Sequence, residues 1–464
     1  MAEGRSRPAW AEIDLAAVRH NIAMLLQVSS PAAVCAVVKA DAYGHGAPAV
    51  GRAALEGGAA GLAVAIVEEG IELREAGISQ PILLLSEPPA DAVEAVAAGG
   101  LTPTLTTAEG VERMVRAARK IGSRISVHVK VDTGMHRMGA APSEVPELAA
   151  AVVEAPELAL EGLWTHLAVA DGTTPDDRAF TSAQLERFDD VVAALAPKGI
   201  RPAVLHAGNS AAAIGWPESR YGMVRCGIAV YGQLPSPALA GALADATGGG
   251  VLRPVMALRA RVAAVRTLDA GSRPSYGRMR PLPERSLVAT VPIGYADGVP
   301  RALFRAGFRV LIGGRRRPLA GMVTMDQIMV DCGSDGDVHP GDEVTLLGRQ
   351  GDEEITASEW AERLGTITYE VLCGIGPRVP RITDGATEAG WGSLSPTRSG
   401  SGGTGGLGGP GGPGDLAGPG TLASGRFGRG DKRVSARGTR RASGRRAGRA
   451  DSKEQGRDDQ GGVR

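Results

Sequence analysis

Lys39 closes an apolar run, Val34–Val38, and Tyr43 follows four positions later in a short segment closed by Gly44 and Gly46. Burial disfavours an ammonium, and an amine that gives up its proton becomes a nucleophile and a base. The same juxtaposition recurs along the chain. Lys130 lies in "ISVHVKV" (125–131), which runs into "DTGMHRMG" with Arg137. His166 follows "ALEGLWT" (159–165), His206 closes "AVLH" (203–206) ahead of "AGNS", and Arg225 lies in "MVRC" (223–226). Asp132 is the one acid near these run ends. Such a set suits an anion, with a phosphate and a carboxylate as its natural classes.

Each residue alone also has an ordinary structural reading. A lysine at a strand end can snorkel to solvent, and a lone core histidine is commonly just hydrogen-bonded. A "GNS" turn is common loop chemistry, and Arg225 can be half of a structural ion pair. The functional reading rests on their meeting on one face.

That meeting needs a scaffold. Eight short β-rich runs occur in the first 240 or so residues: 33–38, 61–66, 81–85, 101–105, 125–131, 159–165, 203–206 and 223–226. Helical stretches such as "EGVERMVRAARKIG" (109–122) separate them, and strand–helix alternation implies parallel strands. Eight such units predict a (β/α)8 TIM-like barrel, preceded by a helix over 14–27. In a parallel barrel the strand C-terminal ends open on the active-site face, where five of these runs deliver a cation or an imidazole. After "GALADATGGG" (241–250) the texture changes. "MALRARVAAVRTL" (256–268) alternates like a half-exposed strand, and residues 308–333 read as a strand, a Gly-Gly turn and further strands. Thr356 and Glu359 stand at capping-box spacing ahead of a short helix stopped by Gly365. The division expected is a barrel at 1–245, a mainly-β domain at 251–385 and a Gly/Arg-rich tail at 388–464.

The 464 residues sum to zero net charge. The tail from Arg398 carries 14 Lys/Arg against 6 Asp/Glu, so the rest of the chain is acidic, which argues against a nucleic-acid-binding body. The tail has too few apolar residues to fold and is read as disordered. Phe427 is its one aromatic residue, too little to stack on bases, so nucleic-acid binding by it is not expected either. Four cysteines, widely spaced and without a CxxC, suggest reduced thiols and a cytoplasmic setting. No signal-peptide core, no run long enough to span a membrane and no HExxH are seen, so no membrane or metal site is expected.

Pyridoxal 5'-phosphate (PLP) would use these residues well. It needs a lysine for a Schiff base, a cradle for its phosphate and a partner for its ring nitrogen. Lys39 supplies the amine. Backbone amides near Gly227 and Ile228 with the Ser210 hydroxyl supply the cradle. Arg225 keeps its proton and would leave the ring nitrogen unprotonated.

"VVKADAYGHG" (37–46) resembles the PLP-attachment signature of the alanine racemase family. "KVDTGMHRMG", "GLWTHLAVAD", "HAGNSAAA", "VRCGIAVYG", "SYG", "PIGYADG", "MVTMDQ" and "RVPRI" resemble the family's further blocks in its order, over about residues 8–385. The resemblance implies a PLP-bearing barrel, a β domain and a homodimer whose active sites are shared between subunits. It makes Lys39 and Tyr276, the latter from the partner, the two bases of a racemisation in which one removes the α-proton and the other returns it from behind. His166 and Arg225, as a chain of cations, would lower the tyrosine's pKa. Arg137 and the Met325 amide become carboxylate contacts, and Tyr295 the substrate-entrance residue. Tyr43, Ser210, Gly227, Ile228 and Tyr369 become phosphate contacts, with Asn209 beside them in the cofactor set. Lys130 resembles a lysine that is carbamylated in the family; the alternative is an ion pair with Asp132. Thr324 departs from a cysteine common in relatives. The activity implied is interconversion of L- and D-alanine, supplying D-alanine for peptidoglycan. The rivals are a serine or broader racemase, a non-catalytic PLP carrier, which would not need Tyr276 and Met325, and a PLP decarboxylase, which would place an acid where Arg225 stands.

Overall fold

The computed structural model describes residues 8–334 and 336–383. The tail at 388–464, residues 1–7 and the stretch beyond Thr383 lie outside the described residues.

The eight sequence runs are the eight barrel strands. After an N-terminal strand β1 (Ala9–Ile13) they are β2 (Ala33–Val37), β3 (Gly61–Val64), β4 (Ile82–Leu84), β5 (Thr104–Leu105), β6 (Ile125–Lys130), β7 (Leu158–Trp164), β8 (Val204–His206) and β9 (Met223–Cys226). All pair in parallel, in the orders β9-β2-β3-β4 and β5-β6-β7-β8. The two arcs join where Leu83 bridges Thr102, and where Gly222 N donates to Leu205 O (3.0 Å) and Arg225 N to Gly208 O (2.9 Å). Strands so short close a barrel because Val34, Ala36, Val64, Val127, Val129, Leu163 and Val224 are buried between the ring of helices and the interior.

The helices obey local rules. Asp14 accepts from Ala17 N (2.7 Å) and starts the helix Leu15–Ser29. Thr107 accepts from Gly110 N (2.9 Å) and starts Ala108–Ile121, which buries Val111, Met114, Ala117 and Ala118 and ends at Gly122 in the left-handed region. At Thr356 only half of the capping box forms. Its hydroxyl accepts from Glu359 N (3.0 Å), while the Glu359 carboxylate is taken by Arg316 (2.9 Å) and Arg363 (3.3 Å).

The remaining strands are antiparallel: β10 (Met256–Arg261), β11 (Ala264–Leu268), β12 (Ser286–Val291), β13 (Arg309–Ile312), β14 (Arg315–Pro318), β15 (Ile328–Asp331), β16 (Glu343–Gln350) and β17 (Glu353–Ile355). The stretch read as one strand, 256–268, is two: β10 and β11 belong to different sheets. Gly313 and Gly314, at φ 61° and 69°, make the two-residue turn between β13 and β14. A last strand, β18 (Arg381–Thr383), pairs in parallel with β1, and β1 pairs antiparallel with β10. The main sheet therefore runs β14-β13-β16-β10-β1-β18 and takes its fifth strand from the start of the chain. Sequence reading did not pick out β1, because its partners are hundreds of residues away.

Candidate active site

Lys39 is the first residue of a tight turn, Lys39–Gly44, at the C-terminal end of β2. Ala40, Asp41, Ala42 and Tyr43 all sit at φ 51–54° and ψ 38–52°, a turn of left-handed helix. For L-residues this costs roughly 1–2 kcal/mol each. The turn aims the Tyr43 ring inward. Tyr43 is buried, packs against Tyr231 (4.7 Å between centroids) and lies 6.0 Å from the Tyr369 ring. Burial, with Arg137 second, lowers the affinity of Lys39 for its proton, and Glu69 opposes them. Glu69 is an acid that the run-end reading overlooked; its carboxylate accepts from Ala40 N (2.6 Å).

A small cradle lies beside Tyr43. Asn209 caps the helix Ser210–Gly215, accepting from Ala211 N and Ala212 N (both 3.1 Å). Ser210 Oγ accepts from Gly227 N (2.8 Å). A Cβ on Gly227 would come within 2.4 Å of the Tyr43 oxygen, so the position has no room for a side chain. Ser210, Gly227 and Tyr43 are thereby brought together, with Ile228 next in the chain.

Arg225 crosses the barrel interior with 3% of its surface exposed. Nη1 donates to His206 Nδ1 (2.9 Å); Nη2 faces Thr165 O (2.8 Å), Ala207 O (3.0 Å) and His166 Nδ1 (3.3 Å). Burial pulls its pKa down to about 10, which leaves it protonated at neutral pH. The expected cation chain therefore needs correcting at His166. Burial first, then the positive charges of Arg225, Lys130, Arg137 and Lys39, hold its pKa well below 6.5, so it is a neutral imidazole. With Nδ1 accepting from Arg225, the ring's proton is on Nε2.

A relay missed by sequence reading continues from His206. Its Nδ1 accepts from Arg225, so its Nε2–H donates to His128 Nδ1 (2.9 Å), and His128 Nε2 faces Glu161 at 3.8 Å. A Cβ at Gly162 would lie 2.4 Å from His128 Nδ1, so that glycine makes room for the ring. The signal was present in "VHVKV": His128 and Lys130 alternate onto one face of β6.

Lys130 is buried, with its amine 4.4 Å from the Trp164 ring centroid, and Arg225 lies over the same ring at 4.4 Å. It does not pair with Asp132, whose carboxylate accepts from Gly134 N and His136 N (both 3.0 Å) and holds the loop that carries the exposed Arg137. Burial, then Arg225 and Arg137, bring the Lys130 pKa down to about 8.

Two families of domain model match the chain: "Alanine racemase, N-terminal domain" over residues 13–235 and "Alanine racemase, C-terminal domain" over 255–383. The chain is 47% identical over 381 residues to an alanine racemase of Symbiobacterium thermophilum, covering 82% of this chain and 98% of that one. The chain belongs to the alanine racemase family. It is 43% identical over 381 residues to the enzyme of a Nostoc species, covering 81% of this chain and 96% of the other. Among solved structures it matches alanine racemase from Bacillus anthracis with bound L-Ala-P (TM-score 0.75, 37% identity, 82% of this chain and 95% of that one). It matches the enzyme from Streptomyces lavendulae equally well (TM-score 0.75, 39% identity, 83% and 99%). The barrel and β domain described above are this family's fold.

Of the four residues that the family resemblance drew from the β domain, Tyr369 lies beside Tyr43, whereas the other three are exposed. Tyr276 is 72% exposed, Met325 53% and Tyr295 43%. They share one face. Ser275 Oγ donates to Met322 O (2.6 Å), Tyr295 N to Thr324 O (3.0 Å) and Ala296 N to Met325 O (3.0 Å). Thr324, where many alanine racemases carry cysteine, turns its hydroxyl to Gln327 O (2.8 Å). Among the described residues, no hydrogen bond joins this face to Lys39, His166 or Arg225.

Proposed function

We propose that this chain is a PLP-dependent alanine racemase that works as a homodimer. The observation that carries the cofactor is the fit of the barrel mouth. It offers a partly buried lysine of lowered proton affinity, an Oγ and amide cradle with no space for a Cβ, and a protonated arginine with no carboxylate on it. Lys39 would hold PLP covalently; Tyr43, Ser210, Gly227, Ile228 and Tyr369, with Asn209 bracing them, would take its phosphate. When bound, PLP supplies the electron-withdrawing ring that makes the substrate Cα–H acidic. Arg225 would give the ring nitrogen a hydrogen bond and keep its own proton, which favours quick return of the proton to Cα over transamination.

Stereoinversion needs a base on each face of Cα. Lys39 serves one face. Tyr276 is the candidate for the other; its exposure, with no hydrogen bond to the barrel cluster among the described residues, supports its delivery by a second copy of the chain. His166, a neutral ring with its proton on Nε2, would donate to the tyrosine oxygen and stabilise its deprotonated form. Arg137 and the Met325 amide would hold the substrate carboxylate, and Tyr295 would line the entrance. Lys130, buried without an acceptor and with a pKa of about 8, has the neutral fraction needed to add carbon dioxide. The carbamate would place a negative charge among Arg225, Arg137 and Lys39.

No helix among the described residues is long and apolar enough to cross a membrane. Cys35, Cys226 and Cys373 are free thiols, which supports a reducing, cytoplasmic setting and a role in making D-alanine for peptidoglycan. The test is racemisation on a panel of L-amino acids with PLP present: D-alanine should form fastest. Faster turnover of L-serine would move the substrate assignment, and no turnover by a PLP-loaded protein would favour a carrier.

A further inference from the structure

A left-handed turn of four non-glycine residues persists only if its surroundings over-determine it. Three of the groups holding 40–43 belong to the barrel itself. Glu69 accepts from Ala40 N (2.6 Å). Asp41 accepts from Ala47 N through its carboxylate (2.8 Å) and from Gly46 N through its carbonyl (3.0 Å). His45 Nδ1–H faces the carbonyls of Ala42 and Tyr43, both at 2.9 Å. Its buried Nε2 has no partner, which fixes the proton on Nδ1.

The fourth group comes from the far end of the described residues. Arg381, on β18 opposite Ala11 of β1, donates from Nε to Gly44 O (2.8 Å). The same guanidinium donates to Gly376 O and Val379 O (both 2.6 Å) and to Ile375 O (2.5 Å). One planar cation therefore ties the end of the Lys39 turn to three carbonyls of the C-terminal segment. The contact is close-packed as well: a Cβ at Gly44 would lie 2.7 Å from Leu372 O.

We propose that Arg381 is a positioning residue, through which the C-terminal β domain holds Lys39 and Tyr43 in the pose that receives the cofactor. The cofactor clause rests on the assignment of Lys39 and Tyr43 made above; the clamp on the turn does not. Nearly all of the guanidinium's reach is spent on backbone oxygens, so a charge alone cannot replace it. Lysine, with one donor head, would keep part of the clamp.

The test is hydrogen exchange on the full chain, cofactor-free and loaded, in Arg381→Met, Arg381→Lys and Arg74→Met. Arg74 is the control. It also gathers four carbonyls, donating to Gly99 (2.9 Å), Ile78 (2.7 Å), Gln80 (2.7 Å) and Gly100 (2.9 Å), none of which belongs to the Lys39 turn. In cofactor-free Arg381→Met, amides 40–47 should exchange roughly tenfold faster. PLP should dissociate more readily by a similar factor, read from the visible absorbance of the lysine-bound cofactor. Arg381→Lys should show the same regional change at smaller size, and it carries the measurement if the methionine variant does not fold. Arg74→Met should leave both readouts unmoved. Unchanged exchange at 40–47, or a rise equal to that in Arg74→Met or spread over the whole chain, overturns the proposal. Failure of the wild-type chain to take up PLP would instead sink the cofactor assignment, with the exchange result still deciding the clamp.

Discussion

The barrel mouth and the Tyr276 face differ in how finished they are. At the mouth, Arg225 has 3% of its surface exposed and both ends of its guanidinium in use, and Ser210 and Gly227 close on each other at 2.8 Å. On the β domain, hydrogen bonds of Ser275, Tyr295 and Ala296 tie down the turns that carry Tyr276, Met325 and Tyr295, while those three side chains are exposed. A rigid backbone under exposed, apolar side chains is what a surface looks like when its other half is another molecule. On the function proposed above this would be a division of labour: the mouth would hold the cofactor, and the Tyr276 face would bring a base and a carboxylate contact to a second copy.

The largest effect should break that division directly. Tyr276→Phe should lose about a thousandfold in alanine racemisation and still load PLP, because nothing at the mouth touches Tyr276. Mixing Tyr276→Phe chains with Lys39→Ala chains should restore activity that neither parent has, since hybrids hold one intact site. A mixture no more active than its parents would show that each site is built from one chain. Next in size, Gly227→Ala should weaken PLP binding by roughly tenfold, read by absorbance titration, because its Cβ would lie 2.4 Å from the Tyr43 oxygen.

Much of the mouth was legible because barrel strands announce themselves. A short apolar run ending in Lys39, His206 or Arg225 states both the strand and the face. What stayed hidden depends on three dimensions. Ala40, Asp41, Ala42 and Tyr43 carry no glycine to signal a left-handed turn; His45, Glu69 and Arg381 impose it from outside. Glu161 and His128 matter only because Gly162 lets their strands' side chains meet. The Lys130–Asp132 ion pair looked plausible at two residues' spacing, yet the Asp132 carboxylate is claimed by the amides of Gly134 and His136 in its own loop.

Smaller effects sharpen the electrostatic side of the comparison. Lys130, with its pKa lowered to about 8 from 10.5, binds protons less well folded than unfolded. The chain should thus gain stability as pH rises from about 8 toward 10.5, by on the order of 3 kcal/mol. In carbon-dioxide-free buffer, Lys130→Met should flatten that rise in denaturant midpoint; an unchanged slope would mean Lys130 is not the group. Smallest is Glu161, whose carboxyl is held below 4.5 first by His128, 3.8 Å away. The stabilisation it provides exists above pH 4.5 and fades as pH falls through the lowered value. Glu161→Gln should be less stable than the wild type at pH 7 and equal to it in acid.

The pairing of β1 with β18 sets a timetable for synthesis. Residues 9–13 are made well before the neighbours they hydrogen-bond to, at 256–261 and 381–383. The barrel strands can pair as they emerge, whereas the sheet beside them waits with an unsatisfied edge until residues 381–383 have been made. An interrupted chain should therefore present a closing barrel trailing a bare strand, and that strand is where a chaperone would be needed.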